Sequence, residues 1–185
     1  MSYGTLSGGY STIAKTLHWL VAICVLSVIT IGISMGYAPE GPLQNRLFML
    51  HKSFGALILF LMLLRIAYRL IAGAPAPDPT LKAWERTASS AVHGLLYLLV
   101  LAMALIGYVG HSAFGAPVPF FGLFELPVIV GKNEPLSEKL FVLHRYLGWA
   151  VAAIVALHIA AALQHYFIRR DGVLQRMLPK ALGGK

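Results

Sequence analysis

Residues 140–167 read LFVLHRYLGWAVAAIVALHIAAALQHYF. The stretch is apolar enough, and long enough, to cross a hydrocarbon core of roughly 30 Å with some tilt. Three histidines interrupt it: His144, His158 and His165. An ionisable side chain inside such a segment is costly, so three of them need a reason. His158 stands 14 residues after His144. At about 100° per residue this spacing returns to within about 40° of the same direction, and the helix rises by about 21 Å. The two imidazoles therefore share one face of a helix, near opposite sides of the membrane. His165 follows His158 by seven residues on the same face, about 10 Å further along.

Three other stretches can span in the same way: 13–35 (IAKTLHWLVAICVLSVITIGISM), 47–71 (LFMLHKSFGALILFLMLLRIAYRLI) and 87–109 (TASSAVHGLLYLLVLAMALIGYV). Only a helix satisfies its own backbone polar groups in lipid without a closed barrel. The expected fold class is all-α, a four-helix transmembrane bundle forming a single domain over residues 1–185. GYAPEGPLQN (36–45) and GAPAPDPT (73–80) are breaks, and Trp84 after the second sits at an expected interface. The longer connection, 110–139, contains an apolar run at 112–131. Pro117, Pro119, Pro127 and Glu125 argue against a fifth helix there. It is expected to lie on the outer surface as a lid.

Composition agrees. The 185 residues are 58% hydrophobic and 12% charged, about half the charge of a soluble domain. The net charge of +8 has a topological reading. Ten of the 15 Lys and Arg, among them Lys15, Arg65, Arg69, Arg169 and Arg176, fall on segments placed inside if the N-terminus is inside. That bias puts both termini in the cytoplasm and makes the basic tail topogenic and lipid-facing. Nucleic-acid binding falls away as an explanation. Residues 1–14 carry no basic residue, so the first apolar stretch is read as a retained span rather than a signal peptide. Cys24, the one cysteine, reads as a small core residue.

Six of the seven histidines lie in the spans; His111 falls in the outer loop and reads as a surface residue. Depth sorts the six. His51 and His144 pair on the outer side. On the inner side His158 pairs with either His18 or His93. For a lone intramembrane histidine, an interhelical hydrogen bond is the ordinary explanation. Histidines matched in depth across several spans point instead to ligands. Zinc prefers a compact cluster, and copper prefers Cys or Met sites that are not evident. Two stacked b-type haems, each between two imidazoles, fit the spacing. With no Cys-x-x-Cys-His motif they are held without thioether links. Two histidines per iron leave no open position, so such centres carry electrons and do not activate O₂. The offset of 14 recurs: it takes His18 to Gly32, His51 to Arg65 and His93 to Gly107. Glycine lets a flat macrocycle approach the backbone, and Arg65 can bind a propionate. HKSFG and HRYLG also carry glycine four residues after a histidine.

The His18–Trp19 pair, HKSFG in the second span, LLRIAYRL before the Pro-rich break, LHIAAALQHYF and the closing RMLPK together resemble the bacterial four-helix cytochrome b561 family, from roughly Ser11 to Lys180. The resemblance implies a multi-pass protein of the bacterial inner membrane. It implies His18 with His158 for a cytoplasmic haem and His51 with His144 for a periplasmic one, and it places His93 and His165 at a ubiquinone site. Four spans separate the chain from the six-span, ascorbate-using relatives of eukaryotes. The activity implied is oxidation of periplasmic superoxide to O₂ with reduction of ubiquinone. Lys52 and Arg145, each directly after an outer histidine, would form a cationic mouth that steers the anion. The alternative is a haem subunit relaying electrons from a periplasmic partner protein to quinone, with 112–131 as the docking surface. A histidine-lined transporter is the weakest reading, because no internal repeat is evident.

Overall fold

The computed structural model describes residues 9–184. Residues 1–8 and Lys185, which entered the readings of the first span and the basic tail, lie outside the described residues. Four long helices dominate: α1 (Thr12–Tyr37), α2 (Pro42–Ala72), α3 (Ala83–Phe114) and α4 (Glu134–Gln164), which runs on through a π-helical turn at His165–Arg169. All four are long and apolar enough to cross a membrane.

Each helix outruns its apolar stretch because local chemistry at the ends extends it. Ser11 caps α1, its hydroxyl accepting from Ala14 N at 3.2 Å. Pro42 occupies the first turn of α2, where a missing N–H is harmless. Glu85 folds back to accept from Lys82 N at 2.8 Å, and α3 ends on Gly115 in the left-handed region. Asn133 caps α4 through Leu136 N.

Backbones approach closely along α1 with α2 and along α3 with α4, and less so between α2 and α3. Between α4 and either α1 or α2, Cα approaches within 8 Å are nearly absent. The histidine-bearing helix thus stands off from the two helices across the bundle. The protein core is confined to mid-height: Val21, Cys24 and Val25 of α1, Ile58, Leu61 and Met62 of α2, Val100 of α3 and Val151 of α4. Cys24 is buried there as a free thiol.

The connection between α3 and α4 is no fifth helix. It holds a two-stranded antiparallel hairpin, β1 (Val118–Phe120) with β2 (Phe124–Leu126). It packs on α2. Three buried serines fix this end. Ser53 Oγ accepts from Phe121 N and faces the Pro119 carbonyl, both at 2.9 Å. Ser112 Oγ accepts from Ile129 N and Val130 N at 2.6 and 2.9 Å. Ser137 Oγ donates to the Gly110 carbonyl at 2.9 Å. In an apolar surround each such bond satisfies a group that water cannot reach. Phe121 is held at φ 53, a strained value for an aromatic residue, between the Ser53 bond and an edge contact with the Phe54 ring at 5.2 Å.

At the opposite end the last residues fold over α1. Trp19 Nε1 donates to the Met177 carbonyl at 3.0 Å, Lys15 Nζ to the Leu178 carbonyl at 2.8 Å, and Tyr10 N to the Arg176 carbonyl at 3.0 Å. Arg176 itself donates to the Ala76 carbonyl at 2.6 Å. The tail expected to face lipid is therefore latched to protein through its own backbone and through Arg176. The two motifs that were far apart in sequence, His18–Trp19 and RMLPK, meet here. These ends are called the hairpin end and the tail end below.

Candidate functional site

The histidines fall on a ladder with a step of seven residues. At the hairpin end stand Gly32 of α1, His51 of α2, Gly107 of α3 and His144 of α4. Seven positions toward the middle on each helix are Val25, Ile58, Val100 and Val151, with exposures of 6%, 3%, 8% and 5%. Seven positions further are His18, Arg65, His93 and His158 at the tail end. The middle rung is entirely β-branched, hence stiff at χ1, and it separates the two sets of imidazoles. Sequence reading found the outer rungs through the offset of 14 but missed the middle one. A half-offset search would have found it.

At the hairpin end the His51 and His144 rings lie 6.0 Å apart between centres. Each abuts a glycine of a neighbouring helix: a Cβ built on Gly32 would sit 3.1 Å from His51 Cε1, and one on Gly107 would sit 3.1 Å from His144 Cε1. The Val28 and Met103 carbonyls, four residues before those glycines, lie beside the two rings without reaching hydrogen-bond geometry, since both Nδ1 atoms are buried and unpartnered. Nδ1 therefore faces the glycine-bearing helix, and Nε2 is left for a ligand.

At the tail end His158 faces two rings, His18 at 6.3 Å and His93 at 5.3 Å. Arg65 is within electrostatic reach of all three imidazoles. Its guanidinium lies over the Tyr97 ring at 5.3 Å and donates to the Ala14 carbonyl at 3.4 Å. His93 also meets Ser89 through Nδ1 at 3.3 Å. His165 is turned elsewhere: its Nδ1 meets Asp171 Oδ2 at 2.5 Å. His93 and His165, expected at one site, make no ring contact among the described residues.

These residues fit a planar iron macrocycle. Imidazole–metal bonds run to about 2 Å, and the ring centre lies about 1 Å beyond the nitrogen. Two imidazoles on one iron thus have centres about 6 Å apart. The 6.0 and 6.3 Å pairs match this, whereas the 5.3 Å pair is about 1 Å short. The stand-off of α4 leaves room for a slab between helices. Among the described residues no three His, Cys, Asp or Glu side chains converge as a metal-binding group, which disfavours a zinc-like centre.

Of the two cations expected at the mouth, Lys52 is half-buried and lies within electrostatic reach of His111. Arg145 is exposed, with no bonded partner among the described residues. Lys132 is taken up by Glu134 at 2.9 Å. His111 needs correcting. It belongs to the last turns of α3 rather than to a surface loop; its Nε2 is buried and its ring stacks on Phe114 at 6.1 Å. The apolar stretch stops at residue 109, but the Ser112 and Ser137 bonds carry the helix past it.

The family model described as prokaryotic cytochrome b561 matches residues 9–180. The chain is 32% identical to cytochrome b561 homolog 2 of Escherichia coli, over 98% of this chain and 97% of that one. It is 31% identical to a probable superoxide oxidase, CybB, of Yersinia pestis, over 94% and 98%. It is 28% identical to cytochrome b562 of Cereibacter sphaeroides, over the same shares.

Proposed function

The chain belongs to the prokaryotic cytochrome b561 family, a family of electron-transferring membrane haem proteins, and from that premise we infer that it oxidises superoxide at its hairpin end and reduces ubiquinone at its tail end. The observation that carries this reading is the ladder: two imidazole pairs with iron-compatible separation, at opposite ends of one bundle, on either side of a stiff apolar rung. His51 with His144, and His18 with His158, would each hold one b-type haem. When bound, those haems supply one-electron carriage without an open iron position.

The chain's own residues account for the rest. Gly32 and Gly107 make room for the Nδ1–Cε1 edges of the hairpin-end imidazoles. Arg65 supplies a half-buried cation for a propionate at the tail end. Lys52, with His111 beside it and Arg145 at the rim, gives the hairpin end the charge that draws in a small anion. Each superoxide loses one electron and leaves as O₂; two electrons and two protons convert one ubiquinone to ubiquinol. Oxidation of superoxide releases no proton and quinone reduction takes up two, so proton-carrying groups are needed at the tail end. His93 and His165 are there for that task. The charge bias of the loops supports a hairpin end in the periplasm, both termini in the cytoplasm and residence in the bacterial inner membrane.

A second reading has an observation of its own. Leu123 and Phe124 at the hairpin tip are 78% and 54% exposed, beyond what a lid alone requires, and would suit a docked periplasmic donor protein. Stopped-flow absorbance of the purified protein separates the two. Rapid haem reduction on mixing with superoxide, then reoxidation by a soluble ubiquinone, is expected. Haem that stays oxidised with superoxide yet reduces with dithionite would favour the donor-protein reading.

A further inference from the structure

Past Gln164 the last helix loosens into the π-helical turn His165–Arg169, and Arg170 adopts a left-handed backbone at φ 52. This reversal brings Asp171 back onto His165, with Oδ2 at 2.5 Å from Nδ1. The two side chains are 15% and 7% exposed. The carboxylate is itself held: Oδ2 also forms an ion pair with Arg169, 3.2 Å from its Nε, and Oδ1 accepts from Val173 N at 3.2 Å. Arg169 reaches across to Glu85 in the first turn of α3. A carboxylate paired with a guanidinium only accepts, so the His165 proton belongs on Nδ1. Nε2 on the far side of the ring is then the atom offered to a ligand, and it carries no bond to the described residues.

We propose that Asp171 is the positioning residue for proton delivery by His165 to the reduced quinone, a proposal that rests on the placement of His165 at the quinone site. The protonated ring gives its Nε2 proton to a quinone oxygen as electrons arrive. Asp171 holds the ring by Nδ1–H and stabilises the imidazolium that precedes each transfer, the role an orienting carboxylate plays beside any general-acid histidine. The ring then regains a proton from water, and two deliveries complete the quinol. The electrons come from the two superoxide anions oxidised at the hairpin end. Arg169, itself held by Glu85, keeps the carboxylate in place without touching the quinone.

The test is stopped-flow reoxidation of the dithionite-reduced, haem-loaded full chain by a short-chain ubiquinone, in H₂O and D₂O. Asp171→Asn is expected to lower the maximal rate about 100-fold, the low end for loss of general-acid function. The half-saturating quinone concentration and the rate of haem reduction by superoxide should hold, and the solvent isotope effect should grow. Asp171→Glu should recover most of the rate. His165→Gln should be at least as slow as Asp171→Asn. A wild-type rate in Asp171→Asn with a slow His165→Gln overturns the positioning role and leaves the quinone site standing. Wild-type rates in both overturn the quinone reading as well. A loss seen as weakened quinone binding or lost haem, matched by Arg169→Gln, would show a purely architectural tail and also overturn the proposal.

Discussion

The hairpin end and the tail end stand on the same ladder but are furnished differently. At the hairpin end two imidazoles face each other and the other two helices present bare glycine. At the tail end α1 and α4 supply the facing imidazoles, the other two helices carry Arg65 and His93, and the His165–Asp171–Arg169–Glu85 chain lies beyond them. One end is trimmed to hold a flat group; the other has polar groups to spare. A site that only takes an electron from an anion needs the first arrangement. A site that must also deliver protons needs the second. The contrast is thus what two unlike half-reactions would demand of one scaffold.

The largest expected effect breaks the ladder from either side. His144→Ala should abolish electron transfer from superoxide and lose the hairpin-end haem alone. His158→Ala should abolish quinone reduction and lose the tail-end haem. Haem stoichiometry by pyridine haemochrome, read with low-temperature absorbance, checks both; loss of both haems from either variant would mean that the ends do not assemble independently. Next comes Gly107→Ala. Its new methyl must displace the His144 ring or the helix, a strain of about 1–3 kcal/mol, and should weaken haem retention at the hairpin end with the tail-end spectrum unchanged. Gly36→Ala, where a Cβ meets nothing within 4 Å, is the control.

Val151→Ala sharpens the comparison differently, because the middle rung serves both ends. It should destabilise the bundle by about 2 kcal/mol, seen as a lower thermal midpoint, with both haem spectra shifting together. The smallest effect belongs to the mouth. Lys52→Gln should slow reduction by superoxide about threefold at low salt and less at high salt, without changing reoxidation by quinone. An equal effect on both steps would place Lys52 in structure rather than in steering.

The bundle and the two outer rungs were legible in the sequence because each stood out against its background. Spans differ from soluble helices in apolar length, and a histidine differs from everything around it in a span. The middle rung did not stand out: Val25, Ile58, Val100 and Val151 are apolar residues among apolar residues. The hairpin was hidden for another reason. It is fixed by Ser53, a helix residue 66 positions before Pro119, and serine in a span has no single meaning. Asp171 is a lone acid in a basic tail, with nothing in its neighbours to mark it. Only the π-turn and the left-handed Arg170 bring it to His165, and neither has a sequence signature that pattern reading detects.

The latch between the tail and α1 sets an order of events during synthesis. Arg176, Met177 and Leu178 are translated after all four helices, yet their carbonyls receive Tyr10, Trp19 and Lys15 at the beginning of the chain. The serines that fasten the hairpin end are all in place once Ser137 has been made. A nascent bundle therefore passes through a stage with one end fastened and the other unlatched, beside the residue that follows His18. That end closes only when residues 176–178 reach α1.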